Sequence, residues 1–379
     1  MKIDQFVMER TQCVFENEVE FNLSESGVQP LSIAEILPTE EARAALMQAG
    51  LSYPHSTGRE SLRQGIAEFH GLDDFNSVTV TNGGSEANFT TLWGLVESDQ
   101  RVAFMLPNYL QGFGLGKAWA EKVDTYRLVM ESSGDGGFDW RLDLDSLEAA
   151  VTKNTGVIVV TNPNNPTGSV LTESEMDAIV AAAERVGAWL VVDEIYRGAE
   201  VSGPMTPSFI GRYDKLVITG GLSKAFGLPG LRTGWIVSSP EVIQHLCQYH
   251  DYMTLTPSYI SDYLADAVMR EPMRSKVLER TRSIIQTNLP PVEEWIESHH
   301  DIFDYCRPQA GAICTVRSNL NVDTTVLFEQ FLREQSVLIT PGQHFGIGNY
   351  IRIGCGYNLD LTLQGLARLD EALAALQST

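Results

Sequence analysis

The chain has 379 residues, with 27 Lys and Arg against 49 Asp and Glu, for a net charge of −22 at pH 7. That length supports a sizeable core and more than one structural unit. The acidic balance excludes nucleic acid and anionic membrane as partners, since both bind clustered Lys and Arg.

The opening "MKIDQFVMERTQ" has no apolar core of the signal-peptide type, and no run approaches the roughly 20 apolar residues of a membrane span, so a cytoplasmic protein is expected. Five scattered cysteines (Cys13, Cys247, Cys306, Cys314, Cys355) lack C-x-x-C spacing, which favours free thiols over a disulfide framework or a metal site.

Apolar, strand-like runs then alternate with helical stretches. "SVTVT" (77–81) leads through "NGGS" into a helix from about Glu86, and "RVAFML" (101–106) and "GVIVVT" (156–161) follow. A helical stretch (173–187), "AWLVVDEIY" (188–196), "KLVITG" (215–220) and "GWIVSS" (234–239) complete the series. Continuous apolar strands between helices indicate a mostly parallel central sheet covered by helices on both faces. Ligands of such sheets sit beyond the carboxyl ends of the strands. From about Glu271 the texture changes to a long amphipathic stretch (271–298), "GAICTV" (311–316), a helix (323–334), "SVLIT" (336–340), "YIRIG" (350–354) and a last helix. The expected division is a large α/β domain over residues 45–270 and a smaller α+β domain built from 1–44 and 271–379.

Four motifs fall just past strand ends. "TNGGSEAN" (81–88) exposes backbone N–H groups and a hydroxyl at a helix start, which suits a phosphate or an ordinary cap. "NPNNPTG" (162–168) is either a plain turn or a rigid loop that aims Asn165. Asp193 of "DEIY" ends a buried strand and needs a partner, either an arginine or a cationic ring nitrogen. In "GGLSKAFGLPGLRTGW" (220–235), glycines leave room around Lys224, whose amine burial would neutralise, and Arg232 offers a forked donor.

Together with "YIRIG", these motifs occur in the order and spacing of the class I/II aminotransferases of fold type I, which the chain resembles from about Tyr53 to Arg352. The resemblance implies a fold type I transferase dependent on pyridoxal 5'-phosphate. Lys224 would hold the cofactor as an aldimine and act as general base, with Asp193 on the pyridine nitrogen and Asn165 and Tyr196 on the ring oxygen. Gly84, Ser85, Ser223 and Arg232 would hold the phosphate, Tyr109 would stack on the ring, and Tyr53 would cross to the neighbouring subunit of a homodimer. Arg352, helped by Asn165, would clamp the substrate carboxylate, with backbone near Ser26 and Gly27 approaching the substrate. The implied reaction moves an amino group between an L-amino acid and a 2-oxo acid.

Two departures stand out. Gly221 occupies a position where the family often has Ser or Thr, and "NLSESGVQPL" replaces a commoner glycine-proline form. The "SESGV" start is similar to capreomycidine-synthase-like members, which implies elimination and ring closure on a hydroxylated arginine as the alternative reaction. A non-catalytic regulator on the same fold is disfavoured by the presence of both Lys224 and Asp193. His55, His344 and Arg197 are read as loop or salt-bridge residues rather than pocket residues, and "FHGLDDF" (69–75) as a turn rather than a metal site.

Overall fold

The computed structural model describes residues 2–134 and 136–377. Fourteen strands are described: β1 (Phe21–Asn22), β2 (Val78–Thr81), β3 (Arg101–Leu106), β4 (Lys122–Ser132), β5 (Phe138–Leu142), β6 (Thr155–Thr161) and β7 (Trp189–Asp193). The rest are β8 (Leu216–Gly221), β9 (Gly234–Val237), β10 (Phe303–Tyr305), β11 (Ile313–Ser318), β12 (Val337–Leu338), β13 (Thr340–Pro341) and β14 (Tyr350–Gly354).

The large sheet has eight strands in the order β2-β9-β8-β7-β6-β3-β4-β5. Strands β8, β7, β6, β3 and β4 run parallel, whereas β9 is antiparallel to both neighbours and β5 is antiparallel to β4. Alternate residues of its apolar strands serve two separate cores. Val157 and Val159 join one, with Val102 and Phe104; Ile158 and Val160 join the other, with Ala103 and Met105. A strand that must be apolar on both faces reads as an unbroken hydrophobic run, so the central strands are readable in the sequence. The β4–β5 pair is not, because β4 is half-exposed and carries charges.

The second sheet, β10-β11-β14-β13, is wholly antiparallel. "SVLIT" is not one strand. Ser336 turns left-handed (φ 54°), β12 then pairs in parallel with β1, and β13 joins β14 in the other sheet. The helix after β2 starts at Gly84, two residues before the expected position. Within the described residues, no helix is long and apolar enough to cross a membrane.

Candidate active site

The carboxyl ends of β6, β7 and β8 open into a cavity of about 280 Å³. Thr161 ends β6, Asp193 ends β7, and Lys224 lies three residues past β8; all three line the cavity. A parallel sheet brings these ends together because each strand returns by a crossover to the same edge.

Asp193 is fixed from two sides. Asn88 Nδ2 donates to Oδ2 (3.0 Å), and the Ile195 N–H donates to Oδ1 (3.0 Å). Asn88 is oriented in turn by Thr219 Oγ1, which donates to its Oδ1 at 2.6 Å. Burial raises the Asp193 pKa against those two bonds. No cation pairs with this carboxylate among the described residues, so the site has a place for one.

Lys224 Nζ meets Glu25 Oε1 at 3.0 Å. Burial lowers the lysine's pKa, but the Glu25 charge and hydrogen bond and the Tyr196 phenol reverse the sign, and the net shift is upward. Burial likewise raises Glu25, yet the Lys224 charge and hydrogen bond, the Gly27 N–H and the Arg352 charge hold it down at about 2. The pair is therefore ionised.

Arg352, on β14, is buried. Nη1 donates to Asn165 Oδ1 (2.9 Å), Nη2 donates to the Ser24 carbonyl and to Thr340 Oγ1 (3.3 Å), and Nε has no partner. Asn165 is presented by a loop whose other asparagines are spent on the backbone. Asn162 Oδ1 accepts from the Leu171 N–H, and Asn164 Nδ2 donates to the Pro107 carbonyl. Tyr196 is buried against Gly311, and its hydroxyl also lacks a partner. An unpaired buried donor costs about 1–3 kcal/mol, so unpaired polar atoms on one cavity mark a place built for a polar ligand.

On the far side, Gly83 (φ 98°) turns the chain into the helix Gly84–Leu95, directing its first N–H groups beside Arg232. A Cβ at Gly83 would strike the Arg232 guanidinium. Ser223 Oγ accepts weakly from Arg232 Nη1 (3.5 Å). A Cβ at Gly221 would come within 2.9 Å of the Thr233 carbonyl, so the backbone here has no room for the serine or threonine that the family often has at this position. Tyr109 lines the cavity with its hydroxyl donating to Glu9 Oε1 (2.8 Å).

The fold thus gathers Gly84, Ser85, Tyr109, Asn165, Asp193, Tyr196, Ser223, Lys224, Arg232 and Arg352 around one cavity. Gly27 lies behind it, its N–H donated to Glu25 Oε1 (2.8 Å), and Ser26 lines the wall instead. Tyr53 lies outside the cavity, 82% exposed. His55 is exposed and bonded to Thr57, and His344 packs on Phe328 and does not line the cavity. Arg197 points inward to the Thr206 and Phe69 carbonyls and toward Glu194. No group of side chains able to hold a metal ion occurs among the described residues. The five cysteines are free.

Sequence reasoning missed Glu25, Asn88 and Glu9. Asn88 carried a signal, lying one helical turn after Gly84 in a motif already singled out. Glu25 and Glu9 carried none.

The residues fit an aromatic, phosphorylated, carbonyl-bearing group: an amine at Lys224, an anion for a ring cation at Asp193, and a helix start with Arg232 for a phosphate. The family model described as aminotransferase class I and II matches residues 21–369. Capreomycidine synthase of Streptomyces vinaceus is 28% identical over 364 residues, spanning 93% of this chain and 89% of that protein. A PLP-dependent aminotransferase structure from Streptococcus suis superimposes with a TM-score of 0.90 at 28% identity, over 99% of both chains. The PLP-dependent cyclase OrfR gives a TM-score of 0.87 at 25% identity, over 99% of this chain and 98% of its own.

Proposed function

The chain belongs to the class I and II aminotransferases, and from that premise we propose that its cavity binds pyridoxal phosphate at Lys224 and passes an amino group between an amino acid and a 2-oxo acid. The observation that carries this assignment is a single cavity holding the Lys224 amine, the Asp193 carboxylate without a cation, and the unpartnered Arg352 Nε and Tyr196 hydroxyl.

Pyridoxal phosphate supplies an electron sink for the bonds of the substrate α-carbon. The chain does the rest. Arg232, Ser223, Ser85 and the N–H groups at Gly84 hold the phosphate. Asp193 keeps a proton on the ring nitrogen, and Asn88 holds Asp193 still. Asn165 and Tyr196 donate to the ring oxygen, and Tyr109 covers the ring face. The Arg352 fork binds the substrate carboxylate and so selects the α-carbon bond that is presented to Lys224, whose neutral amine removes the α-proton. The helix Val7–Phe15 closes one side of the cavity and limits access of water.

We assign the large domain to residues 45–270 and the smaller one to 1–44 with 271–379. Met47, Leu51 and Tyr53 are 81%, 75% and 82% exposed, an apolar stretch that supports burial against a second copy, with Tyr53 reaching the neighbouring phosphate. Five unpaired cysteines support a cytoplasmic setting.

A second reading, elimination and ring closure on a hydroxylated arginine, is supported by the likeness to capreomycidine synthase and OrfR. Absorbance spectra with a panel of amino acids decide. A visible cofactor band that an amino acid bleaches and a 2-oxo acid restores supports transamination. An undiminished band with product lighter by one water supports the cyclase. Protein that takes up no cofactor refutes both.

A further inference from the structure

Three cations line the cavity among the described residues, and the proposed function commits all of them: Lys224 to the cofactor, Arg232 to the phosphate and Arg352 to the substrate carboxylate. Four carboxylates line it, and only Asp193 is committed to the cofactor. Glu9, Glu16 and Glu25 remain, all from the N-terminal segment.

Their placement is unusual for packing residues. Met8, Glu9, Gln12, Cys13 and Glu16 share the cavity-facing side of the helix Val7–Phe15 and its C-cap, at the i, i+3, i+4, i+7 spacing that ordinarily turns an apolar stripe inward. Here the stripe carries two carboxylates and an amide. Glu25 is held beside it by the Gly27 and Ser26 N–H groups (2.8 and 3.0 Å) and by Lys224. All these bonds fall on Oε1 and leave Oε2 for another donor. A carbonyl compound bound at Lys224 would use Nζ and weaken its ion pair with Glu25. The same wall adjoins the carboxylate clamp, because Arg352 Nη2 donates to the carbonyl of Ser24, the residue before Glu25. Arg352, whose Nε is unpartnered, and the three glutamates line one cavity, so the side chain of a substrate held at Arg352 shares that space with them.

We infer, resting on the function proposed above, that the substrate is an amino acid whose side chain ends in a cation, a guanidinium or an ammonium, received by Glu25 with Glu9 and Glu16. An acidic side chain would meet the like charges of Glu9, Glu16 and Glu25. An apolar one would shield Glu25 Oε2 from water and give it no donor, which is costly.

Carboxylic acids lacking the α-amino group bind without reacting and isolate this contact. Titration calorimetry of the cofactor-loaded protein would compare 5-guanidinopentanoate and 6-aminohexanoate with hexanoate and adipate. The expected result is that the two cationic acids bind about tenfold or more tighter than hexanoate, as one charge-assisted hydrogen bond provides, and adipate weaker than hexanoate. Glu25→Gln and Glu9→Gln, on separate segments, should each cut the ratio of 5-guanidinopentanoate to hexanoate affinity toward one, the ratio cancelling any common effect on the Arg352 clamp. Hexanoate or adipate binding as tightly as the cationic acids, or an undiminished preference in both variants, overturns the inference. The cofactor band separates this failure from the deeper one: protein that carries the band but ignores the charge loses only this assignment, whereas protein that takes up no cofactor loses the reading of the site and this inference with it.

Discussion

Glu25→Gln tests the electrostatics of the site directly, because it removes one charge and keeps the shape. In the wild type the carboxylate 3.0 Å from Lys224 Nζ outweighs burial and the Arg352 charge, and the ammonium is favoured. Condensation with an aldehyde requires the neutral amine. The glutamine still accepts the Gly27 and Ser26 N–H groups but no longer stabilises the ammonium, so burial and Arg352 push the lysine toward neutrality. A hydrogen bond between charged groups contributes about 1.5–3 kcal/mol, and each 1.36 kcal/mol is a tenfold change in protonation ratio, so at neutral pH the variant holds about tenfold to a hundredfold more free amine. Stopped-flow absorbance of cofactor-free protein mixed with pyridoxal phosphate between about pH 6.5 and 9 would report this as a loading rate. Rates should climb with pH in both proteins, with the Glu25→Gln curve displaced to lower pH. Superimposed curves, or a slower variant across the range, would show that Glu25 does not control Lys224.

Three further outcomes follow from the same geometry. Because the Glu25 pKa is depressed from 4.5 to about 2 in the folded chain, it contributes roughly 3 kcal/mol of stability that is fully present above pH 4.5 and lost as pH falls toward 2. The gap between wild-type and Glu25→Gln urea midpoints should therefore close over that range. Asp193→Asn should retain the cofactor band while turnover falls by about 10² or more, since a carboxamide cannot hold a proton on the ring nitrogen; near-normal turnover would refute that role. Gly83→Ala combines an unfavourable φ of 98° with a Cβ driven into Arg232. It should weaken cofactor affinity about tenfold or more, read as the pyridoxal phosphate concentration needed to restore the band after dialysis, with far-UV circular dichroism unchanged.

Much of this molecule is legible without coordinates. The runs "RVAFML", "GVIVVT" and "KLVITG" are unbroken because their strands are buried on both faces, and that burial needs no knowledge of neighbours. Lys224, Asp193, Asn165 and Arg352 stand beside glycines, prolines or strand ends whose backbone limits are local. Where burial is one-sided or partial, as in β4, the pattern weakens and the strand is missed. "SVLIT" reads as one strand because nothing in its five residues records that Ser336 turns left-handed and that β12 and β13 serve different sheets.

The carboxylates of the site belong to the other kind of information. Glu25 and Lys224 are 199 residues apart, Asn88 and Asp193 are 105 apart, and Glu9 and Tyr109 are 100 apart. By itself the sequence determined the sheet, the lysine, the aspartate and the chemistry that those residue types allow, because periodicity and backbone constraint act within about a dozen residues. Only the tertiary structure decided which acid faces the lysine and which helix faces the cavity. Those pairings arise from crossovers that bring the strand ends to one edge, and from an N-terminal helix laid over them, and no local pattern encodes either.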